Sequence, residues 1–191
     1  GIDLLSISAH KFHGPLGVGA LFIRAGTRLK PILFGGAEER GLRPGPVSPA
    51  LVVGMARALE LAEEQLHTGI PELRLLEGQL LNGIKEVLGG ALLNGPSLAR
   101  LPGHLSLCFP GLEAEPLMLS LDLEGIAVGA GNPCASGAVE ASATLLAMGL
   151  SRESALSSLR FSLSRFNTSD EVVRTVKALS TVTARMRTVC V

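Results

Sequence analysis

A lysine near the start of the chain stands where covalent chemistry would suit it. Lys11 ends the segment Ser8-Ala9-His10-Lys11, which follows an apolar run and precedes a turn rich in glycine and proline. Loops at strand ends often carry reactive groups because the sheet fixes them. A neutral lysine amine forms a Schiff base with a carbonyl, and Ser8 and His10 are donors suited to an anion such as phosphate. The alternative is a surface lysine that simply follows a strand.

A cysteine in a loop of small residues is the second candidate. Cys134 lies in Gly-Asn-Pro-Cys-Ala-Ser-Gly, between a predicted strand and a predicted helix. Small neighbours leave a thiol accessible, and glycines allow a loop to move. The competing interpretation, a small buried hydrophobe, is the commoner one for cysteine and applies to Cys108, which has Leu and Phe neighbours. Cys190, near the end of the sequence, has no assigned role.

The sequence lacks the motifs of other kinds of catalytic or binding site. Ser8 to Lys11 also reads S-x-x-K, the nucleophile motif of serine β-lactamases, but the S-D-N and K-T-G motifs that this chemistry needs do not occur. Three histidines, His13, His67 and His104, have no partner spacing for a metal, so we expect none to bind. The glycines of GPLGVGA are not followed by the helix of a dinucleotide fingerprint.

Composition narrows the class of protein. Hydrophobic residues make up 47% of 191 residues and charged residues 18%, which is typical of a globular protein with a core. Seventeen basic residues balance seventeen acidic ones, and there is no Trp or Tyr, which disfavours nucleic acid as a partner. We expect no membrane span and no signal peptide. The odd count of three cysteines favours a cytoplasmic location, where a thiol can stay free.

Strands and helices alternate along the chain, which predicts an α/β or α+β layer arrangement. We predict a domain boundary near residue 67, giving parts 1–67 and 68–191. The apolar run at the very start predicts that further sequence precedes Gly1, since a lone strand cannot pair its backbone. The predicted strands are 2–8, 17–23, 104–109, 126–128 and 158–163. The predicted helices are 49–66, one starting at Pro71, 115–123, one ending near Gly149, and a last one opening with the capping box 168–171.

Several segments, in order, resemble the cysteine desulfurases among the class V pyridoxal-phosphate (PLP) enzymes. They are IDLLSISAHKFHGPLGVGALFIR at the start, GGAEERGLRPG (35–45), LLNGP (92–96), RLPGHLSLCFPG (100–111), the cysteine loop, and SLRFSLSRFNT (158–168). The resemblance covers essentially the whole chain. It implies the fold type I of PLP enzymes, with this chain supplying the end of the large PLP-binding domain and its connecting helix (1–67) and the small C-terminal α+β domain (68–191).

The resemblance also implies roles for residues. Lys11 would bind PLP covalently, with Ser8 and His10 on its phosphate, and Arg160 would grip the carboxylate of L-cysteine, a task suited to a planar two-pronged donor. Cys134 would take up sulfur as a persulfide, for iron–sulfur cluster assembly or thiolation. The expected partners are a second copy in a homodimer and a sulfur acceptor or scaffold protein.

One departure from the family pattern keeps other functions open. Where the family usually has a phosphate-binding threonine, this chain has Pro46, which has neither a hydroxyl nor an N–H. A selenocysteine lyase or another class V aminotransferase is one alternative, and a non-catalytic remnant that dimerises or docks a partner is another. The stacking histidine and pyridine-binding aspartate of the family are not in this chain, so we expect the chain alone to be inactive.

Overall fold

The computed structural model describes residues 1–131 and 140–189, with side-chain burial described through residue 188. The chain divides into two compact units, Gly1–Thr68 and Gly69–Val191. The sequence analysis put this boundary near residue 67. Each unit is described by itself.

The first unit contains a two-stranded antiparallel sheet and one long helix. Strands β1 (Leu4–Ser8) and β2 (Gly19–Ile23) pair from Leu4 opposite Ile23 to Ser8 opposite Gly19. A short 3-10 helix, Ala9–Phe12, follows β1 directly, and a second one covers Glu38–Gly41. Helix α1 (Pro49–Glu64) starts at a proline. In the first turn of a helix the backbone N–H has no acceptor within the helix, so a proline there costs no hydrogen bond. The predicted strands and helix of this unit are confirmed.

The sheet of the first unit carries apolar side chains on both faces, and much of their surface is exposed. Leu4 and Leu5 are adjacent in β1 and so point to opposite faces, yet each is 45% exposed. Leu21 and Phe22 in β2 are also exposed. The buried apolar residues of this unit are Ala9, Met55 and Ala58, where the 3-10 helix meets α1.

The second unit packs helices against one face of a four-stranded sheet. Its strands are β3 (Leu92–Leu93), β4 (His104–Cys108), β5 (Gly129–Ala130) and β6 (Ser158–Ser162), in the antiparallel order β3-β4-β6-β5. Its helices are α2 (Gly69–Val87), α3 (Ala114–Leu123), α4 (Ala143–Ala147), α5 (Arg152–Leu156) and α6 (Ser169–Val189).

The period-2 pattern of the central strands decides which face is covered. Leu105, Leu107, Leu159 and Phe161 are buried against α2, α3 and α6, with Leu80, Ile84, Leu117 and Leu179 completing this core. The intervening residues of β4 and β6 therefore point to the other face of the sheet. Arg160 is one of them.

One prediction about this unit was wrong. The predicted strand at 126–128 is not paired, because the end of α3 uses the N–H of Ile126. Gly125 (φ 74°) closes that helix, its N–H donating to the carbonyl of Asp122 while Ile126 donates to Leu121. This is a Schellman closure, and strand pairing begins only at Gly129. The helix at Arg152–Leu156 has no counterpart among the predicted elements; the Ser151 hydroxyl caps it by accepting from the N–H of Ser154.

Candidate functional site

The segment with Lys11 forms a tight corner at the end of β1. Ser8 has extended backbone angles and precedes the 3-10 helix that carries Lys11, which His13 closes with a left-handed conformation (φ 67°). In such a helix residues three apart lie one above the other, which brings positions 8 and 11 to the same side. Lys11 and His10 are exposed and Ser8 is half-buried. The segment therefore gathers an amine, a hydroxyl and an imidazole on one corner.

Gly14 fixes this corner against helix α1. Its N–H donates to the carbonyl of Ala9 at 2.8 Å. A Cβ at position 14 would lie 2.9 Å from the Cβ of Ala9 and 3.2 Å from the Cβ of Ala58 in α1. Ala9 is completely buried. The 3-10 helix thus sits on α1 at a distance that only glycine permits.

The donors of this corner suit a cofactor with a phosphate and an aldehyde. Within the described residues, Ser8, His10 and Lys11 have no ion pair, and the Ser8 hydroxyl makes no capping bond. Hydroxyl and imidazole groups donate to phosphate oxygens, and a primary amine condenses with an aldehyde. The residues that are present therefore fit PLP.

A second group of polar residues lies on the face of the sheet opposite the core of the second unit. Arg160, in β6, pairs with Ser106 of β4 on one side and with Gly129 of β5 on the other. Asn94, just after β3, donates through its side-chain amide to the hydroxyls of Ser106 and Ser158, each at 3.0 Å. Arg160 is thus the cation in a row of neutral polar groups.

Arg160 is available to bind an anion. Its side chain is exposed, and it makes no ion pair in the part of the chain that the structure describes. By contrast, Arg100 in the same unit forms an ion pair with Glu77. A guanidinium presents parallel N–H donors that match a carboxylate. The geometry of this face therefore suits a ligand carboxylate.

Of the three cysteines, only Cys108 lies among the residues that the structure describes. Cys134 lies outside the described residues, as does Cys190, so the loop prediction stays a prediction. Cys108 is a free, buried thiol, as its apolar neighbours predicted. Burial raises the pKa of the Cys108 thiol, and the nearby hydroxyls of Ser158 and Ser154 lower it by less.

Three further observations concern the rest of the described chain. A pocket of about 230 Å³ lies beside the start of α6, lined by Ile126, Val128, Phe161 and Arg174 among others, and none of the predicted site residues lines it. No group of three His, Cys, Asp or Glu residues within 1–131 and 140–189 could hold a metal ion. None of the helices in these ranges is both long and apolar enough to cross a bilayer.

The chain belongs to the aminotransferase class-V family, whose sequence model matches residues 1–175. It is 39% identical over 189 residues to the cysteine desulfurase IscS of Dictyoglomus turgidum, covering 99% of this chain and 48% of that protein. It is 40% identical to the IscS of Clostridium botulinum strain Hall over 97% of this chain and 47% of that protein. The chain thus spans about half the length of the curated relatives it matches.

Solved structures agree with this assignment. A NifS-like protein superposes with a TM-score of 0.85 at 36% identity, over 96% of this chain and 47% of that one. A NifS-like protein from Rickettsia africae gives 0.87 at 26% identity, over 96% and 48%. The predicted family and the predicted α/β fold of a class V PLP enzyme are confirmed.

Proposed function

We propose that this chain forms about half of a PLP-dependent cysteine desulfurase, which converts L-cysteine to L-alanine and takes the sulfur as a persulfide on Cys134. The observation that carries the proposal is the 39% identity to a curated cysteine desulfurase along 99% of this chain. The fold supports it because two groups of residues have conformations that can bind ligands. The first is the lysine corner, made of Ser8, His10 and Lys11, and the second is the arginine face, the sheet face that carries Arg160.

The first part of the proposal concerns the cofactor. Ser8 and His10 would donate to its phosphate, and Lys11 would hold it covalently through its amine. When bound, PLP supplies a ring that accepts electrons from the substrate Cα. The Lys11 amine would accept the proton from the substrate Cα. Its exposure on a corner held by Gly14 supports this role, since the amine must exchange partners without moving its backbone.

The second part concerns the substrate. Arg160 binds the carboxylate of L-cysteine through two parallel N–H donors. A fixed carboxylate limits the rotation of the substrate and so orients its Cα hydrogen and its sulfur. The support is the exposed position of Arg160 on the sheet face opposite the core, without a carboxylate partner among the described residues.

The third part concerns sulfur transfer. As a thiolate, Cys134 attacks the substrate sulfur, the sulfur–carbon bond breaks, and the carbon is reprotonated. L-cysteine and the Cys134 thiol thus give L-alanine and a Cys134 persulfide, with no oxidant needed. The sequence supports this role through the glycines and small residues beside Cys134.

The test uses the full-length protein with Cys134 replaced by serine. We expect the variant to retain its bound PLP absorbance while alanine formation from L-cysteine falls to background. Cys190→Ser is the matched control and should keep full turnover. Unchanged alanine formation by Cys134→Ser would remove this residue from the mechanism.

Partners and location are also part of the proposal. We expect a homodimer, a protein that accepts or scaffolds the sulfur for iron–sulfur cluster assembly or thiolation, and a cytoplasmic location. Transfer of radioactive sulfur from the labelled Cys134 persulfide to a candidate acceptor, with Cys134→Ser as the blank, tests the acceptor directly. Sedimentation of the full-length protein tests the dimer.

Pro46 favours a second candidate, a non-catalytic chain that dimerises or docks a partner. A proline offers neither a hydroxyl nor an N–H to a phosphate. Failure of the full-length protein to bind PLP would favour this candidate. If PLP binds, products separate the remaining alternatives: alanine from L-cysteine indicates a desulfurase, alanine from selenocysteine alone indicates a lyase, and a keto acid indicates an aminotransferase.

A further inference from the structure

The guanidinium of Arg160 lies over the backbone of the neighbouring strand at Gly129. The two residues are direct partners in the pairing of β5 with β6. A Cβ built at position 129 would be 3.1 Å from one terminal nitrogen of Arg160, 3.3 Å from its Nε and 3.5 Å from its Cζ. These three atoms are the nearest that such a Cβ would meet. A Cβ at this position would therefore push the guanidinium aside by a few tenths of an ångström.

The backbone itself does not require glycine at this position. Gly129 lies in a strand and is not among the glycines with positive φ, so an L-residue could adopt its conformation. Glycine is otherwise disfavoured in strands, and it often marks a place where another group approaches the backbone closely. Here the approaching group is the Arg160 side chain.

We infer that Gly129 is a positioning residue that sets where the Arg160 guanidinium, and with it the substrate carboxylate, is held. This inference rests on the proposed function, in which Arg160 binds the carboxylate of the amino acid. A methyl group at position 129 displaces a flexible, exposed side chain rather than the sheet. The fold is kept while the two N–H donors move, and bidentate binding depends on their placement.

The first test is kinetic and uses the full-length enzyme with L-cysteine. Gly129→Ala should raise KM about tenfold, with a smaller change in kcat. A 1 Å misplacement can lower the rate of an enzyme roughly 100-fold, so the expected effect is smaller than that. In an Arg160→Gln background the same substitution should add nothing, because its effect passes through the guanidinium. Gly78→Ala is the control, since a Cβ there meets no atom within 4 Å. It should leave KM unchanged.

The second test needs no turnover. In the 191-residue chain, the side-chain Nε–H resonance of Arg160 can be assigned by its loss in Arg160→Gln. It should shift in Gly129→Ala and stay in place in Gly78→Ala. The thermal midpoint of Gly129→Ala should remain close to that of the unmodified chain.

The outcomes separate this inference from the proposed function. If Arg160→Gln raises KM but Gly129→Ala leaves it unchanged, or raises it equally in both backgrounds, the inference is overturned and the role of Arg160 stands. If Arg160→Gln itself leaves KM unchanged, the carboxylate role of Arg160 and the inference both fall. An unshifted Arg160 resonance in Gly129→Ala also overturns the inference.

Discussion

Glu77 and Arg100 form a buried ion pair between α2 and the loop that precedes β4. The Nε of Arg100 donates to Glu77 at 2.8 Å, its terminal nitrogen donates to the same oxygen, and the N–H of Gly103 donates to the other oxygen at 2.8 Å. The Glu77 side chain is only 4% exposed and that of Arg100 13%. Arg100 also donates to the carbonyl of Ser97, so the pair fixes the whole loop.

This pair predicts a large effect on stability. Glu77→Ala leaves the Arg100 guanidinium largely buried without its carboxylate, so we expect a loss of about 3–5 kcal/mol in the free energy of unfolding. Urea denaturation followed by circular dichroism measures it. The matched control is Glu124→Ala, which removes the exposed pair with Arg185 and should cost less than about 1 kcal/mol. Equal midpoints for the two variants would contradict the role given to Glu77.

Replacing Gly14 should loosen the lysine corner locally. Gly14→Ala brings a methyl group to 3.0 Å from the carbonyl oxygen of Ala9 and 3.2 Å from the Cβ of Ala58, neither of which can turn away. Overpacking of this kind typically costs about 1–3 kcal/mol. Hydrogen exchange of peptides spanning residues 9–14 should become faster, while peptides of α6 keep their rates. Unchanged exchange at residues 9–14 would show that the packing around Gly14 accommodates a methyl group, which would contradict the prediction.

The thiol of Cys108 should be unreactive in the folded chain. Burial raises its pKa, so at a given pH less of it is thiolate, the form that reacts. In a Cys134→Ser, Cys190→Ser background, disulfide reagents at pH 8 should modify Cys108 slowly without denaturant and at once in urea. The native rate should rise with pH until well above the pKa of an ordinary thiol. Fast labelling of the native chain would contradict its burial.

Glu171 predicts how stability depends on pH. Its carboxylate accepts from the N–H of Thr168 at 2.9 Å and from the amide of Asn167, which holds the pKa of Glu171 below its usual value. A lowered pKa means that this stabilisation is complete above the ordinary glutamate pKa and is lost as pH falls through the lowered one. Glu171→Gln should therefore destabilise the chain at pH 7, and the difference should shrink in acid.

A control separates the capping bond from simple charge. Asp170→Asn removes a negative charge from the same first turn of α6, where the helix dipole favours it, but the Asp170 side chain makes no capping bond to the described residues. At pH 7 the thermal midpoint, compared with that of the unsubstituted chain, should drop less for Asp170→Asn than for Glu171→Gln. The deficit of Glu171→Gln should then shrink as the pH is lowered to 3. Identical pH profiles would mean that charge alone explains the effect.

The sequence predicted those features that depend on local pattern. The capping box at 168–171 is present, with the Thr168 hydroxyl accepting from the N–H of Glu171 at 3.3 Å. The apolar spacing of α2 predicted one apolar side made of Leu73, Leu76, Leu80, Ile84 and Val87. Leu80 and Ile84 are buried and Leu73 and Leu76 half-buried, whereas Val87, at the end of the helix, is exposed. Such patterns follow from helix geometry alone, so neighbouring residues are enough to reveal them.

Features that depend on distant partners could not be predicted in the same way. Glu77 is buried in α2 with two arginine partners, the local Arg74 at i−3 and the distant Arg100, 23 residues away, and no local signal marks the second pair. The strand predicted at 126–128 failed because the helix end uses the N–H of Ile126. The row of Asn94, Ser106, Arg160 and Gly129 depends on strand register, which only the folded sheet defines.

The central claim is that Lys11 binds the cofactor, and trapping that bond tests it most directly. The full-length protein is incubated with PLP, reduced with borohydride and digested, and the peptides are analysed by mass spectrometry. We predict a pyridoxyl-phosphate mass on Lys11, and no such adduct on any peptide of a Lys11→Ala variant. An adduct on another lysine with Lys11 unmodified, or none at all, would contradict the account.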